Sequence, residues 1–508
     1  MHRRLRLALP AVLLAGCAPA GGEGPSPLAR DVAGYAVRQY ADSAVARLGD
    51  LIAFRTVARD GVPNVENPEF QELTAYLRRL AGEFGLDFAD HGAVLIIGLG
   101  DATERLGVLA HADVQPADPT KWRRDPFELD TLSEPGRLVA RGSEDDKGPI
   151  VTALYAMRAL VDRGVPLARR IELVVTYTEE SDWAPIQAFV SQWDPPGLNV
   201  ALDSEYPVVI AEKAWNAVLL SLPPDRPAPP GEGPRIARFG GGVFLSQIPE
   251  DAEAVVAGST AEVEAALRRE AERDTVVAFT FDTVGDSLLV RARGLAAHSS
   301  KPWQGRNAIT HLAALLGTRE WPPTQAARMV RLINDLVGTG DYGERFGEVA
   351  YTHDFMGPLT LALTTLGPGD GDSLVAGINA RSPAGKSGAT LDSLFRAAVA
   401  GWSAGTGIEV GIATTVSEPY YLEDAPHVPV LLDIFRFYTG IRDAQPISIG
   451  GGTNARILPY GVNFGPAMPG QEYTGHSEHE FMTREQLERN LQMYTAMLVE
   501  LAGARGAP

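Results

Sequence analysis

Between residues 67 and 85, "NPEFQELTAYLRRLAGEFG", apolar residues recur at three- and four-residue steps. Phe70, Leu73, Leu77, Leu80 and Phe84 share one helical face, and Gly85 ends the run, which predicts an amphipathic helix buried along one stripe. The next segments follow a different rule. "AVLIIGLG", "RLGVLAH", "RIELVVTYT" and "GLNVALDS" are short, nearly continuous apolar runs, with a helical stretch over 149–163 between the second and the third. Unbroken apolar runs suit strands covered on both faces. Their alternation with helices predicts an α/β layer in which a mixed, mostly parallel sheet is flanked by helices.

After Lys213 the pattern changes. "PPDRPAPPGEGP" is a loop, and "TVVAFTFDTVGDSLLVRARG" predicts a hairpin turning near Gly285-Asp286. About 200 residues pass before the α/β pattern returns, the size of one domain. The closing segment, "TREQLERNLQMYTAMLVELAG", is an amphipathic helix with Thr483 and Gln486 as a capping box. A chain of 508 residues exceeds what one core accommodates. The expected division is a core domain from 28–213 and 418–505, with an α+β domain, 214–417, inserted into it.

Composition changes this picture mainly at the amino terminus. Arg3, Arg4 and Arg6 precede "LALPAVLLAG", an apolar stretch too short to span a bilayer, which runs into Leu14-Ala15-Gly16-Cys17. This junction resembles the lipobox of bacterial lipoproteins. The resemblance implies a signal peptide over 1–17, cleavage before Cys17 and lipidation of its thiol, with 18–27 as a Gly/Pro tether. The expected location is the cell envelope, with the membrane contacted only through the lipid. Cys17 is the only cysteine, so the chain has no intramolecular disulfide and no thiolate metal site. A net charge of −19 argues against a nucleic-acid partner, which calls for a basic face.

The chemistry gathers where the apolar runs stop. His111-Ala112-Asp113 ends one strand, and Asp145-Asp146-Lys147 precedes the helix at Pro149. Glu179-Glu180 ends a third run, Asp203 a fourth, and His476 and His479 lie near the carboxyl end. Ligands of open α/β sheets bind at the carboxyl ends of strands. Each residue alone is an ordinary capping or surface group, but together such acids would repel one another unless cations held them. Oxygen and imidazole donors without sulfur suit Zn²⁺, Mn²⁺ or Co²⁺ in a catalytic site. With Asp145 as a bridge, His111 and Asp203 complete one ion's ligands, and Glu180 and His476 the other's. Three carboxylates and one hydroxide then balance two divalent ions. Asp113 is left to orient His111, and Glu179 to act as base.

As a set, "HADVQP", "ARGSEDDKGP", "TYTEESDW", "LDSEYP" and "GGGTNARILP…YTGHSEHEF" resemble the di-zinc peptidase family of aminoacylase, carboxypeptidase G and bacterial dipeptidase V. The dipeptidase V branch is the nearest, through "DDKGP", "EYPVVIAEK" and "FGPAMPG". The resemblance implies two divalent ions, zinc before manganese or cobalt, held by His111, Asp145, Glu180, Asp203 and His476. It also implies Glu179 as general base, Asp113 as the ligand-orienting acid and a cis peptide between Asp145 and Asp146. In the inserted lid, His298 of "GLAAHSSKPWQGRNA" falls on the oxyanion-stabilising histidine, and Arg381 of "INARSP" on the arginine that grips the substrate carboxylate. Asn454 and the Gly450-Gly451-Gly452 turn are expected to assist Arg381. Ser246 stands where the family has a lid asparagine, which alters contact with the substrate. The long lid implies a monomer, because short-lidded relatives borrow lid contacts from a second subunit.

The implied activity is hydrolysis of dipeptides or very short peptides with a free terminal carboxylate. Two alternatives differ in kind: an amidohydrolase of N-acyl amino acids on the same scaffold, and a non-catalytic peptide-binding lipoprotein. His2, His91, His311, His353 and His427 are read as structural or surface residues.

Overall fold

In the computed structural model the first apolar stripe becomes the helix Pro68–Phe84, with Phe70, Leu73, Leu77, Leu80 and Phe84 buried. Asn67 caps its start by accepting the backbone N–H of Glu69, and Gly85 ends it in a left-handed conformation at φ 72°. The structure describes residues 24–225, 233–471 and 473–504. The signal segment, Cys17 and residues 18–23 of the tether lie outside them.

The four apolar runs become the strands Val94–Leu99, Arg105–His111, Arg170–Thr176 and Leu198–Ala201 of one sheet. At its centre Arg170–Thr176, Arg105–His111, Leu198–Ala201 and Gly461–Asn463 lie side by side and parallel. The flanking strands Val94–Leu99 and Val209–Glu212 join antiparallel. Parallel strands aim their carboxyl ends at one edge, and the register sets His111 beside Thr176 and Leu109 beside Ala201. That edge is therefore where the residues after each run meet.

The helices Pro27–Ile52, Lys147–Asp162 and Arg484–Ala502 pack together and share the sheet's core. Lys147–Asp162 begins two residues before Pro149. Proline is tolerated there because the first-turn N–H groups have no intrahelical acceptor in any case. The buried Lys147 ammonium pins that turn by donating to the carbonyls of Leu51 at 3.0 Å and Phe54 at 2.6 Å. The capping box of Thr483 and Gln486 opens the last helix.

A second, wholly antiparallel sheet runs from Ala214–Leu222 to Gly411–Thr415 in chain order and has its own core. The hairpin Ala278–Val284/Ser287–Arg293 turns at Gly285-Asp286, and Gly285 takes φ 64°. The helices Ala308–Leu316 and Gln325–Leu332 cover this sheet. Among the described residues no helix is long and apolar enough to cross a membrane.

Candidate metal centre

The strand Arg105–His111 delivers His111 to the sheet edge almost completely buried. Its Nδ1 lies 2.9 Å from the carbonyl oxygen of Asp113. An N–H there leaves the Nε2 lone pair facing Asp145 Oδ1 at 2.8 Å and Asp203 Oδ1 at 3.6 Å. Across the site His476 Nε2 lies 3.1 Å from Asp145 Oδ2 and 2.9 Å from Glu180 Oε1. Two ligand triads result, His111/Asp145/Asp203 and Asp145/Glu180/His476, each with its donor atoms within 4.8 Å of one another. Asp145 belongs to both. His479 points elsewhere, with its Nε2 2.6 Å from Glu134 Oε1.

The donor set fits divalent cations. Among the described residues no lysine or arginine pairs with Asp145, Glu180 or Asp203, and their only cationic partners are the two imidazoles. Burial alone would depress both imidazoles, but Asp203, Asp113 and Asp145 around His111, and Glu180 and Asp145 around His476, hold them well above the ordinary value. Burial pushes Asp203 up to about 6. Asp145 is held well below the carboxylate range despite its burial, by the hydrogen bonds from His111 and His476. The cluster thus demands positive charge at its centre, which hard oxygen and imidazole donors take as a metal ion.

Asp113 meets the His111 ring twice, its carbonyl oxygen 2.9 Å and its carboxylate Oδ1 3.5 Å from Nδ1. The carboxylate accepts the backbone N–H of Glu179 at 3.1 Å and of Glu180 at 2.9 Å. One acid therefore fixes the loop that carries both the expected base and a ligand. The Glu179 carbonyl accepts the Trp183 indole N–H at 2.7 Å, while its side-chain Oε1 is buried without a partner. Burial, reinforced by Asp203, pushes the Glu179 carboxyl well above the usual range. A positioned carboxylate with raised proton affinity suits proton transfer.

The 214–417 region brings further polar groups, some from a separate two-stranded ribbon, Gln247–Ile248 with Ala297–His298. Gln247 pairs with His298, and the N–H of Ser299 donates to the Ser246 carbonyl at 2.9 Å. The Ser246 hydroxyl accepts the Trp215 indole N–H at 3.3 Å. His298 Nδ1 accepts the backbone N–H of Ser300 at 3.2 Å, which leaves the proton on Nε2. Desolvation, then Arg381, His476 and Lys301, pull this imidazole down to about 3, so it is a neutral donor at physiological pH. Arg381 is buried, donating from Nε to Asn379 Oδ1 at 2.9 Å and from Nη1 to the Gly450 carbonyl at 3.3 Å. The glycine turn thus meets Arg381 through a carbonyl. Beneath Gly452, the N–H of Thr453 donates to Glu212. Asn454 is buried, with Nδ2 3.3 Å from Thr176 Oγ1 and its Oδ1 without a partner.

Several contributors escaped the sequence reading. Gln115 donates to Glu180 Oε2 at 2.9 Å, and the Tyr473 hydroxyl to Asp145 Oδ2 at 2.8 Å. Asp146 accepts the His111 backbone N–H at 3.0 Å, across the cis Asp145–Asp146 peptide. Arg141 and Glu480 form a buried ion pair at 2.8 Å. All of them lie inside motifs already singled out, Gln115 in "HADVQP", Arg141 and Asp146 in "ARGSEDDKGP", Tyr473 and Glu480 in "YTGHSEHEF", but spacing alone gave them no role.

Similarity to known proteins follows the same residues. Peptidase family M20/M25/M40 matches residues 107–500. A provisionally named dipeptidase of Bacillus subtilis is 30% identical over 416 residues, 82% of this chain and 86% of that protein. Another from Staphylococcus saprophyticus is 30% identical over 486 residues, 92% of this chain and 98% of its own length. Human carnosine dipeptidase 1 shares the fold with a TM-score of 0.57 at 15% identity, over 94% of this chain and 99% of that one. The Saccharomyces cerevisiae dipeptidase Dug1p does so with a TM-score of 0.55 at 13% identity, over 92% of this chain and 97% of that one.

Proposed function

The chain belongs to peptidase family M20/M25/M40, and on that premise we propose that it is a two-metal dipeptidase that hydrolyses short peptides with a free terminal carboxylate. The observation that carries this reading is Asp145, common to both ligand triads, with the unpartnered Glu179 carboxylate beside them. His111 and Asp203 would hold one divalent ion and Glu180 and His476 the other, with zinc favoured by the imidazole and carboxylate donors. Bound there, such ions supply Lewis acidity toward the scissile carbonyl and toward water.

The chain's own residues do the rest. Glu179 accepts a proton from water on its carboxylate and returns it to the leaving amine, with its loop held by Asp113 through two N–H groups. His298 Nε2–H donates to the oxygen on which negative charge develops, a contact typically worth about 3–4 kcal/mol. Arg381 binds the terminal carboxylate through the N–H groups that Asn379 and Gly450 leave free. A buried carboxylate clamp of this kind favours short substrates, dipeptides before longer chains.

The lipobox reading supports a mature protein held at the cell envelope through Cys17, and the long inserted region supports a monomer. The test of function is a dipeptide library, with N-acylated amino acids and longer peptides alongside, assayed with Zn²⁺, Mn²⁺ and Co²⁺. Cleavage of free dipeptides is expected. Cleavage confined to acylated amino acids would replace the reading, and no cleavage of any of them would refute it.

A further inference from the structure

Asp145 and His476 arrive on separate loops, and each loop carries a second acid that grips the other. Glu480, four residues past His476, accepts the backbone N–H of Glu144 at 3.0 Å and of Asp145 at 3.1 Å, its charge balanced by Arg141. Glu144, the neighbour of Asp145, reaches back. Its Oε2 accepts the Thr474 backbone N–H at 3.0 Å, two residues before His476, and its Oε1 accepts Gln486 Nε2 at 2.8 Å. Between these anchors His476 stands in a left-handed backbone conformation at φ 64°, uncommon for a side chain with a Cβ.

The two clamps differ in what they hold. Glu480 fixes Asp145, which both triads share, whereas Glu144 fixes the Thr474–His476 turn, which only one triad uses. Glu144 is also the more costly group for the fold: it is buried, and among the described residues no cation pairs with it. Its two hydrogen bonds tie the Thr474 N–H and the Gln486 amide to one acceptor group, and removing it leaves those buried donors unsatisfied, which destabilises the fold.

We propose that Glu144 is a positioning residue for the Asp145/Glu180/His476 subsite, holding His476 at its ligand position through Thr474 and leaving the His111/Asp145/Asp203 subsite untouched. The proposal rests on the two-metal reading and assigns an asymmetry between the two sites. Groups that orient metal ligands typically change affinity by about 10- to 100-fold.

The test is titration of the metal-free full-length chain with Zn²⁺ alone, followed calorimetrically, together with the thermal midpoint of the metal-free protein. The wild type is expected to take up two ions. Glu144→Met, which keeps the volume and removes both acceptors, is expected to lower the midpoint and to leave one ion at wild-type affinity, while the other weakens about 10- to 100-fold. Glu144→Gln keeps one acceptor for the Thr474 N–H and should fold in either case, with the second ion weakened by a smaller factor. In a His476→Ala background Glu144→Met should change the affinity of the remaining ion by less than about 2-fold, because both changes act on the same subsite. Equal weakening of both ions or no weakening of either, in Glu144→Met or, where that chain does not fold, in Glu144→Gln, would overturn the assignment of Glu144. A wild-type chain that binds a single ion would overturn the two-metal reading itself, and the proposal with it.

Discussion

Arg381 offers the sharpest test of substrate choice. The residue is 5% exposed, and among the described residues no acid pairs with its guanidinium. Burial pulls its pKa down to about 10, the sign of a cation short of solvation. Of the five guanidinium N–H donors, one reaches Asn379 and one Gly450, which leaves a fork free for an anionic ligand. Arg381→Met keeps the stem and removes the fork. Truncating one partner of a buried, hydrogen-bonded charge pair costs about 2–5 kcal/mol. At about 1.4 kcal/mol per decade, that loss lowers kcat/KM about 30- to 4000-fold. The assay compares kcat/KM for a dipeptide and for the same dipeptide carrying a terminal amide. The wild-type enzyme should prefer the free acid by roughly this factor, and Arg381→Met should lose the preference while cleaving the amide as the wild type does. If Arg381→Met kept its preference for the acid, or slowed on acid and amide alike, the carboxylate clamp would be wrong.

Two further outcomes follow from the geometry and one from the sequence. Glu179→Gln should lower kcat by about 100- to 10,000-fold, the usual worth of a general base, with metal content unchanged by elemental analysis; activity within 10-fold of wild type would remove Glu179 from that role. His427 is buried with Nδ1 unpartnered, and burial depresses it to about 4, so the folded state favours the neutral ring. Its contribution to stability is complete above about 6.5 and is lost as pH falls toward about 4. His427→Gln, which still donates to the Asn199 carbonyl, should therefore lose about 2 kcal/mol less than wild type between pH 8 and pH 5 in denaturant melts; parallel pH profiles would argue against it. Cys17→Ser should abolish incorporation of labelled fatty acid and release the protein from membrane fractions, and unchanged labelling would exclude the lipid anchor.

Much of the architecture was legible because the forces that set it are local. The stripe from Phe70 to Phe84, the Thr483 capping box and the turn at Gly285-Asp286 depend on residues within one or two turns of each other. The start of the helix at Lys147 was misplaced because Pro149 marks a favoured first position without requiring it, and the ammonium of Lys147 reaches carbonyls far back in the chain. The candidate ligands were legible for a related reason: an apolar run that stops at an acid or a histidine exposes its chemistry at a strand end, whatever the fold does next.

What the sequence determined by itself was the inventory, namely which side chains of oxygen and imidazole type follow which apolar runs, and therefore which chemistry they support together. Only the tertiary structure decided the pairings. That the Asp113 carbonyl holds His111 while its carboxylate holds the loop of Glu179 and Glu180, that Asn454 is buried against Thr176, and that Glu480 reaches the N–H of Glu144 across 336 positions are results of packing. The reason is range. Periodicity records which face of an element is apolar, whereas a hydrogen bond at 3 Å depends on how several elements settle against one another, and no spacing along the chain encodes that.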